Sequence, residues 1–204
     1  MMIIENSFLQ GSDAWFQARI GNPGASSFSR IVTTTGELSK SRTEYLYELA
    51  GEILTQKKTK GYSNAHMEEG LIAEDESRTL YELIYGVEVT QVALCYKDEQ
   101  KAYHYSPDGL ILEKNRGFET KNAIPKIQVA RLLKGTLPTE HFTQCQGGLH
   151  VAELETLDFQ SYCSGLPPLM IRVERNEKFI DKLNVALNDF SMELAILVNK
   201  LKAM

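Results

Sequence analysis

The sequence predicts an α/β or α+β fold with a central mixed β-sheet flanked by helices, and three observations carry that prediction. Apolar residues recur at helical spacing in the first 86 positions. Segments rich in β-branched and aromatic residues, separated by polar turns, fill residues 87–123. Two helices, two more such strands and a long amphipathic helix complete the chain.

In order, "SDAWFQARIG" predicts a short helix with Ser12 or Asp13 as N-cap. After the "GNPG" break, "ASSFSRIV" begins another helix. "SKSRTEYLYELAGEILTQKK" is helical: Ser41 and Glu44 fit a capping box, and Tyr45, Leu46, Leu49 and Ile53 share a face. "GYSNAHMEEGLIAEDESRTLYELIYG" holds a longer helix closed by Gly86. "VEVTQVALCYKD", "KAYHYSPDGLIL" and "RGFETKNA" read as strands, with residues 114–117 as a turn. Pro125 opens a helix in "IPKIQVARLLKG", and Pro138 and Thr139 open the next, "PTEHFTQCQGGLHVAEL", which carries two glycines near its end. "TLDFQSYCSG" and "LMIRVERN" are strands, and the last helix, from Glu177 to about Lys200, bears a stripe of Phe179, Leu183, Leu187, Phe190, Leu194 and Leu197.

A length of 204 residues predicts one domain spanning 1–204, and 43% hydrophobic residues suffice for a sizeable core. No apolar run approaches the roughly 20 residues of a membrane helix, and the first fifteen residues lack a secretory pattern. Three cysteines without a CxxC pair point to a reducing cytoplasm and away from disulfides or zinc. A net charge of −5 argues against a protein that grips nucleic acid by bulk charge. A metal-dependent nuclease, however, must carry an acidic cluster.

Such a cluster is visible. In "SPDGLILEKNRGFETKNA", strand alternation puts Glu119 and Lys121 on one face and Phe118 and Thr120 on the other, and Asp108 can sit beside Glu119 across the turn. Glu113 and Lys114 belong to the exposed turn. Two carboxylates and a lysine suit a hard divalent cation, which takes one or two carboxylates plus water. Glu74 shares its helix face with Gly70, Leu71, Ser77 and Tyr81 and so points inward, while Glu68, Asp75 and Glu82 read as solvated. A carboxylate on a packed face needs a partner, and a shared metal or Arg78 would supply one. Each of these residues taken singly has a bland reading: a turn Asp, a wet strand face, a helix ion pair. Their joint spacing favours one site. Separately, Arg19 lies one helical turn after Trp15, and Ser26 follows Gly24 at the start of a helix, an arrangement able to bind an anion.

The blocks "QGSDAWFQARIG…ASSF", "EEGLIAEDESRTLYE", "SPDGL…GFETK" and "FTQCQ" occur in the order found in lambda-exonuclease-type phage recombination nucleases, the YqaJ-like viral recombinases. The chain resembles them from about Gln10 to the final helix. They belong to the PD-(D/E)xK superfamily, so the resemblance implies a restriction-endonuclease-like core. It implies that Asp108, Glu119 and the backbone carbonyl of Thr120 hold a catalytic Mg²⁺, with Mn²⁺ able to substitute, and that Glu74 completes the site directly or through water. Lys121 then orients the nucleophilic water, and Gln144 or Gln146 assists. Arg19, Ser26 and Ser106 would form a pocket for the 5′-phosphate of a DNA end. Trp15, Arg42, Lys126 and Arg131 are candidate DNA contacts, as are the lysines of 57–60; an ordinary solvated charge is the alternative for each basic one.

The implied activity is 5′→3′ degradation of the 5′-phosphorylated strand of linear double-stranded DNA to mononucleotides, leaving a 3′ single strand for recombination. The implied partners are duplex DNA ends, two further copies in a homotrimeric ring, and a single-strand annealing protein, with no membrane. The implied setting is the cytoplasm of a bacterial host, with the gene carried by a phage or prophage. A DNA endonuclease of the same superfamily (restriction or junction-resolving) and a catalytically silent DNA-end-binding scaffold are the competing readings.

Overall fold

A computed structural model of the chain describes residues 2–58 and 65–204, the side chains of 65–72 excepted. Lys60 and the side chain of Glu68 lie outside the described residues. The elements run β1 (Ile3–Glu5), α1 (Asp13–Ala18), a 3-10 helix (Ala25–Arg30), α2 (Arg42–Thr55), α3 (Ala65–Tyr85), β2 (Leu94–Tyr96), β3 (His104–Tyr105), β4 (Gly109–Ile111), a 3-10 turn (Leu112–Lys114), β5 (Arg116–Asn122), α4 (Pro125–Lys134), α5 (Thr139–Val151), β6 (Thr156–Tyr162), β7 (Leu169–Glu174) and α6 (Glu177–Lys202).

The strands form two sheets rather than one. β1-β2-β3 is antiparallel; β4-β5-β6-β7 is mixed, with β5 and β6 parallel and the other pairs antiparallel. The division falls inside "KAYHYSPDGLIL", where Pro107 has no N–H to extend a ladder, so β3 and β4 join different sheets. The parallel pair requires a crossover, and α4 and α5 supply it.

Local chemistry explains most boundaries. The Ser12 side chain accepts from Trp15 N at 3.3 Å and caps α1. Pro125 occupies the first turn of α4, and Gly135, at φ +63°, ends it. The expected helix at 25–32 is a six-residue 3-10 turn. The Ser41–Glu44 capping box does not form: Ser41 sits at the N-cap with its Oγ bonded to Ser39 Oγ at 3.0 Å and to the Arg30 carbonyl at 3.5 Å. Glu82, expected to be solvated, accepts from Val89 N at 2.8 Å and ties the end of α3 to the segment that follows.

The main core gathers side chains from α2, α5, α6 and one side of the mixed sheet, including Leu149, Leu157, Phe159, Leu183, Leu187 and Phe190. A smaller cluster on the other side joins Tyr81 of α3 to Val87, Val89, Ile111 and Phe118. Burying Phe118 contributes roughly 1.5–3 kcal/mol, and its ring lies 4.6 Å from that of Tyr81. That contact fixes the strand register, because a slip of one residue would drive Glu119 and Lys121 into this apolar cluster. α5 continues through Gly147 and Gly148 because both face aromatic rings: a Cβ at Gly147 would stand 2.6 Å from Phe28 and one at Gly148 2.8 Å from Tyr105. Cys95, Cys145 and Cys163 are free and buried. Among the described residues no helix is long and apolar enough to cross a membrane.

Candidate active site

The hairpin of β4 and β5 builds the centre. Gly109 pairs with Phe118, so Asp108, at the mouth of β4, lies beside Glu119. Asp108 Oδ2 accepts from the Thr120 N–H at 2.7 Å. On the opposite face of β5, the Thr120 hydroxyl hydrogen-bonds Ser77 of α3. Glu119 is 1% exposed and is fixed by three donors: the Tyr105 hydroxyl at 3.0 Å, Lys121 Nζ and Gln144 Nε2. α5 thus delivers Gln144 to Glu119, and β3 delivers Tyr105.

The electrostatics are those of buried acids. Burial, reinforced by Asp108, pushes Glu119 up to about 7 despite Lys121 and Tyr105. Glu74 is likewise raised to about 7, by burial and by Asp108, with Arg78 and Lys121 opposing. Burial also raises Asp108. Burial would depress Lys121, but Glu119 and Asp108 outweigh it and hold the ammonium above its usual value. Arg78 pairs with Asp75 rather than with Glu74.

A cleft of about 310 Å³ joins this centre to the residues singled out for anion binding. Trp15, Arg19, Ser26, Glu74, Ser106, Asp108, Glu119, Lys121 and Gln144 all line it. The Arg19 guanidinium lies 3.9 Å from the Trp15 ring centroid. Trp15 Nε1 donates to the Ala93 carbonyl at 3.2 Å and to Ser106 Oγ at 3.3 Å, and Ser106 Oγ donates to the same carbonyl at 3.0 Å.

Other residues singled out in the sequence lie apart from the cleft. Gln146 spans β7 and α6: its Nε2 donates to the Glu174 carbonyl at 2.8 Å and its Oε1 accepts from Asn176 N at 2.8 Å. Arg42 makes a two-pronged ion pair with Glu193 on α6, at 2.7 and 2.9 Å. Arg131 bonds Ser161 Oγ at 3.0 Å and Glu140 at 3.2 Å. Lys126 is exposed on α4. Sequence reasoning missed Tyr105, His104 and Gln10, which also line the cleft; Gln10 Nε2 donates to the Val92 and Pro107 carbonyls, each at 2.7 Å. Their one visible signal was position: Tyr105 and His104 immediately precede "SPD" in a strand-like segment.

The donor set suits a small hard cation. Among the described residues no three His, Cys, Asp or Glu side chains converge closely enough to hold a metal by themselves. Mg²⁺ does not need that, since one or two carboxylates, a carbonyl and water satisfy it. Asp108, Glu119 and the Thr120 carbonyl could supply such a set, and a cation would offset the burial that raises Asp108, Glu119 and Glu74 and the repulsion by Asp108 that adds to it at Glu119 and Glu74.

Comparison with known proteins identifies relatives of the whole fold. Residues 14–155 match the model of the YqaJ-like viral recombinase domain. The crystal structure of an alkaline exonuclease, LHK-Exo, from Laribacter hongkongensis superposes with a TM-score of 0.83 at 27% identity, covering 94% of this chain and 97% of that one. The structure of LHK-Exo in complex with dAMP matches with the same TM-score and coverage at 28% identity. A phage-related exonuclease from Haemophilus somnus 129PT matches in fold, with a TM-score of 0.65, 13% identity and coverage of 88% and 96%. No curated protein matches significantly. The mixed sheet with flanking helices is thus of the PD-(D/E)xK type.

Proposed function

Since this chain belongs to the YqaJ-like viral recombinase family, we propose that it is a Mg²⁺-dependent exonuclease that degrades the 5′-phosphorylated strand of duplex DNA in the 5′→3′ direction. The observation that carries the reading is one cleft holding both the Asp108–Glu119–Lys121 centre and the Trp15–Arg19–Ser26–Ser106 group. The likeness to LHK-Exo, an alkaline exonuclease crystallised with dAMP, supports an exonuclease releasing mononucleotides. Residues 1–204 form one nuclease domain, which works as a homotrimeric ring and hands a 3′ single strand to an annealing protein in the host cytoplasm.

Asp108, Glu119 and the Thr120 carbonyl would hold Mg²⁺, with Glu74 acting directly or through water; Mn²⁺ could replace it. Bound there, the ion would supply polarisation of the scissile phosphate and a lowered pKa for water. The protein's own part is positional. Tyr105 and Gln144 fix the Glu119 carboxylate. Lys121, charged and bonded to Glu119, orients the attacking water and offsets phosphate charge. Arg19, Ser26 and Ser106 hold the new 5′-phosphate after each cut, which gives the reaction its polarity.

The test is digestion of linear duplex with 5′-phosphate or 5′-hydroxyl ends, beside covalently closed circular DNA. Faster loss of phosphorylated linear DNA is expected, with Asp108→Ala inactive. Equal rates on both ends would remove the pocket assignment, cleavage of closed circles would favour an endonuclease, and an active Asp108→Ala would overturn the metal site.

A further inference from the structure

Arg19 is oriented by a buried histidine in the cleft wall. Its Nε donates to His104 Nε2 at 3.1 Å. A guanidinium only donates, so His104 Nε2 must be the bare ring nitrogen, and the ring proton sits on Nδ1. That Nδ1–H is then donated to Asn22 Oδ1, 2.8 Å away. The other end of the same amide, Asn22 Nδ2, donates to the Lys101 carbonyl at 2.6 Å. Every donor in this chain meets an acceptor, and the assignment is the only one that satisfies all three bonds.

The imidazole has no room to turn. His104 is 1% exposed, its N–H donates to the Pro23 carbonyl at 3.0 Å, and a Cβ on Gly24 would stand 2.7 Å from Nε2. Burial, with Arg19 and Lys58 adding to it, holds the ring neutral. Arg19 is therefore clamped on two sides, by His104 at Nε and by the Trp15 ring beneath. Among the described residues its two Nη groups make no hydrogen bond, and Arg19 lines the cleft. They form a fixed fork of the kind that takes two oxygens of one phosphate.

We propose that His104, locked by Asn22, is a positioning residue that presents the Arg19 fork to a terminal 5′-phosphate and thereby sets the preference for phosphorylated DNA ends. The inference rests on the 5′-phosphate reading of the cleft. It also explains why this chain places a buried histidine two residues before Ser106.

The experiment measures the ratio of initial rates on 5′-phosphorylated and 5′-hydroxyl duplex for the full-length protein and its variants, with thermal melting as a folding control. His104→Ala is expected to lower the ratio about tenfold, the scale of one charge-assisted hydrogen bond. His104→Gln places an amide oxygen near the Nε2 position and should recover most of it. A purely structural role would depress both rates together and leave the ratio unmoved. If His104→Ala fails to fold, the half-buried Asn22→Ala frees the ring from its far side and is expected to lower the ratio about threefold, a part of the same interaction. An unchanged ratio in folded His104→Ala, or in Asn22→Ala where that variant replaces it, while Arg19→Ala abolishes the preference, would overturn the inference alone. If Arg19→Ala leaves the preference intact, the phosphate-pocket reading fails and this inference falls with it.

Discussion

Three helical glycines should respond to alanine in three different ways. Gly51 of α2 has nothing within 4 Å of the position its Cβ would take. Gly51→Ala should then show only the helix-propensity gain, stabilising by about 0.5–1 kcal/mol. Gly148 of α5 faces Tyr105, whose Cζ would lie 2.8 Å and whose Cε atoms 3.0 Å from the new methyl. Reaching ordinary contact at 3.4 Å requires the ring to retreat by roughly 0.6 Å. Such overpacking costs about 1–3 kcal/mol, which outweighs the propensity gain. A shift of that size also misaligns the 3.0 Å bond from Tyr105 to Glu119. We expect Gly148→Ala to lose about 1–2 kcal/mol in urea denaturation and roughly tenfold in kcat through a misplaced carboxylate. Gly147→Ala meets Phe28 at 2.6 Å and Ala25 at 3.4 Å instead, on the segment bearing Ser26. It should cost similar stability, raise KM for phosphorylated ends and leave kcat within about threefold. Identical kinetic changes in Gly147→Ala and Gly148→Ala, or a destabilised Gly51→Ala, would refute the reasoning.

Tyr105→Phe removes one of three donors to buried Glu119 and should lower kcat by about tenfold, with stability reduced by ~1–2 kcal/mol; steady-state rates and urea curves measure both, and wild-type kcat would show that Lys121 and Gln144 suffice. Glu74 and Glu119 are raised to about 7, so metal binding must displace protons below that pH and few above it. Mg²⁺ affinity should rise steeply between about pH 6 and pH 7, at most ~100-fold per unit for two protons, then flatten. Calorimetry in buffers of different ionisation enthalpy counts the protons, and a pH-independent affinity would contradict the shifts. His141 and His150 are held neutral, each lowered to about 4, chiefly by burial. The unfolded chain takes up their protons first, so this stability is full above about pH 6.5 and is lost as pH falls toward 4. His150→Gln should flatten that part of a pH–stability curve if its ring is the source; an unaltered curve would point elsewhere.

The parts of the site that follow from local geometry were legible in the sequence. Alternation along β5 selected Glu119 and Lys121, and the helix period turned Glu74 inward. The lone tryptophan and Arg19 were correctly put on one face because a single helical turn separates them. The failures were also local signals, overridden by packing. Ser41 bonds Ser39 and Arg30 instead of capping with Glu44, and Glu82 caps a neighbouring segment. Tyr105, His104 and Gln10 escaped notice for a different reason. Each acts through partners between fourteen and 97 residues away, and no periodicity in one sequence encodes such a pairing. Gln144 and Gln146 are two positions apart, yet only the three-dimensional arrangement separates a cleft residue from a strand-to-helix tie.

The parallel pairing of β5 with β6 has a consequence for when the enzyme becomes active. Asp108 and Glu119 meet through a hairpin, which closes on the scale of ~1–10 μs. The strand bearing Glu119 and Lys121 is held on its other edge by partners forty residues downstream, Lys121 opposite Ser161 among them. Closure over that distance belongs to the slow, late part of folding. A chain still leaving the ribosome is therefore expected to bring its two carboxylates together, if only transiently, before it has Gln144 or the edge that steadies them. Hydrolytic competence is expected only with the finished sheet.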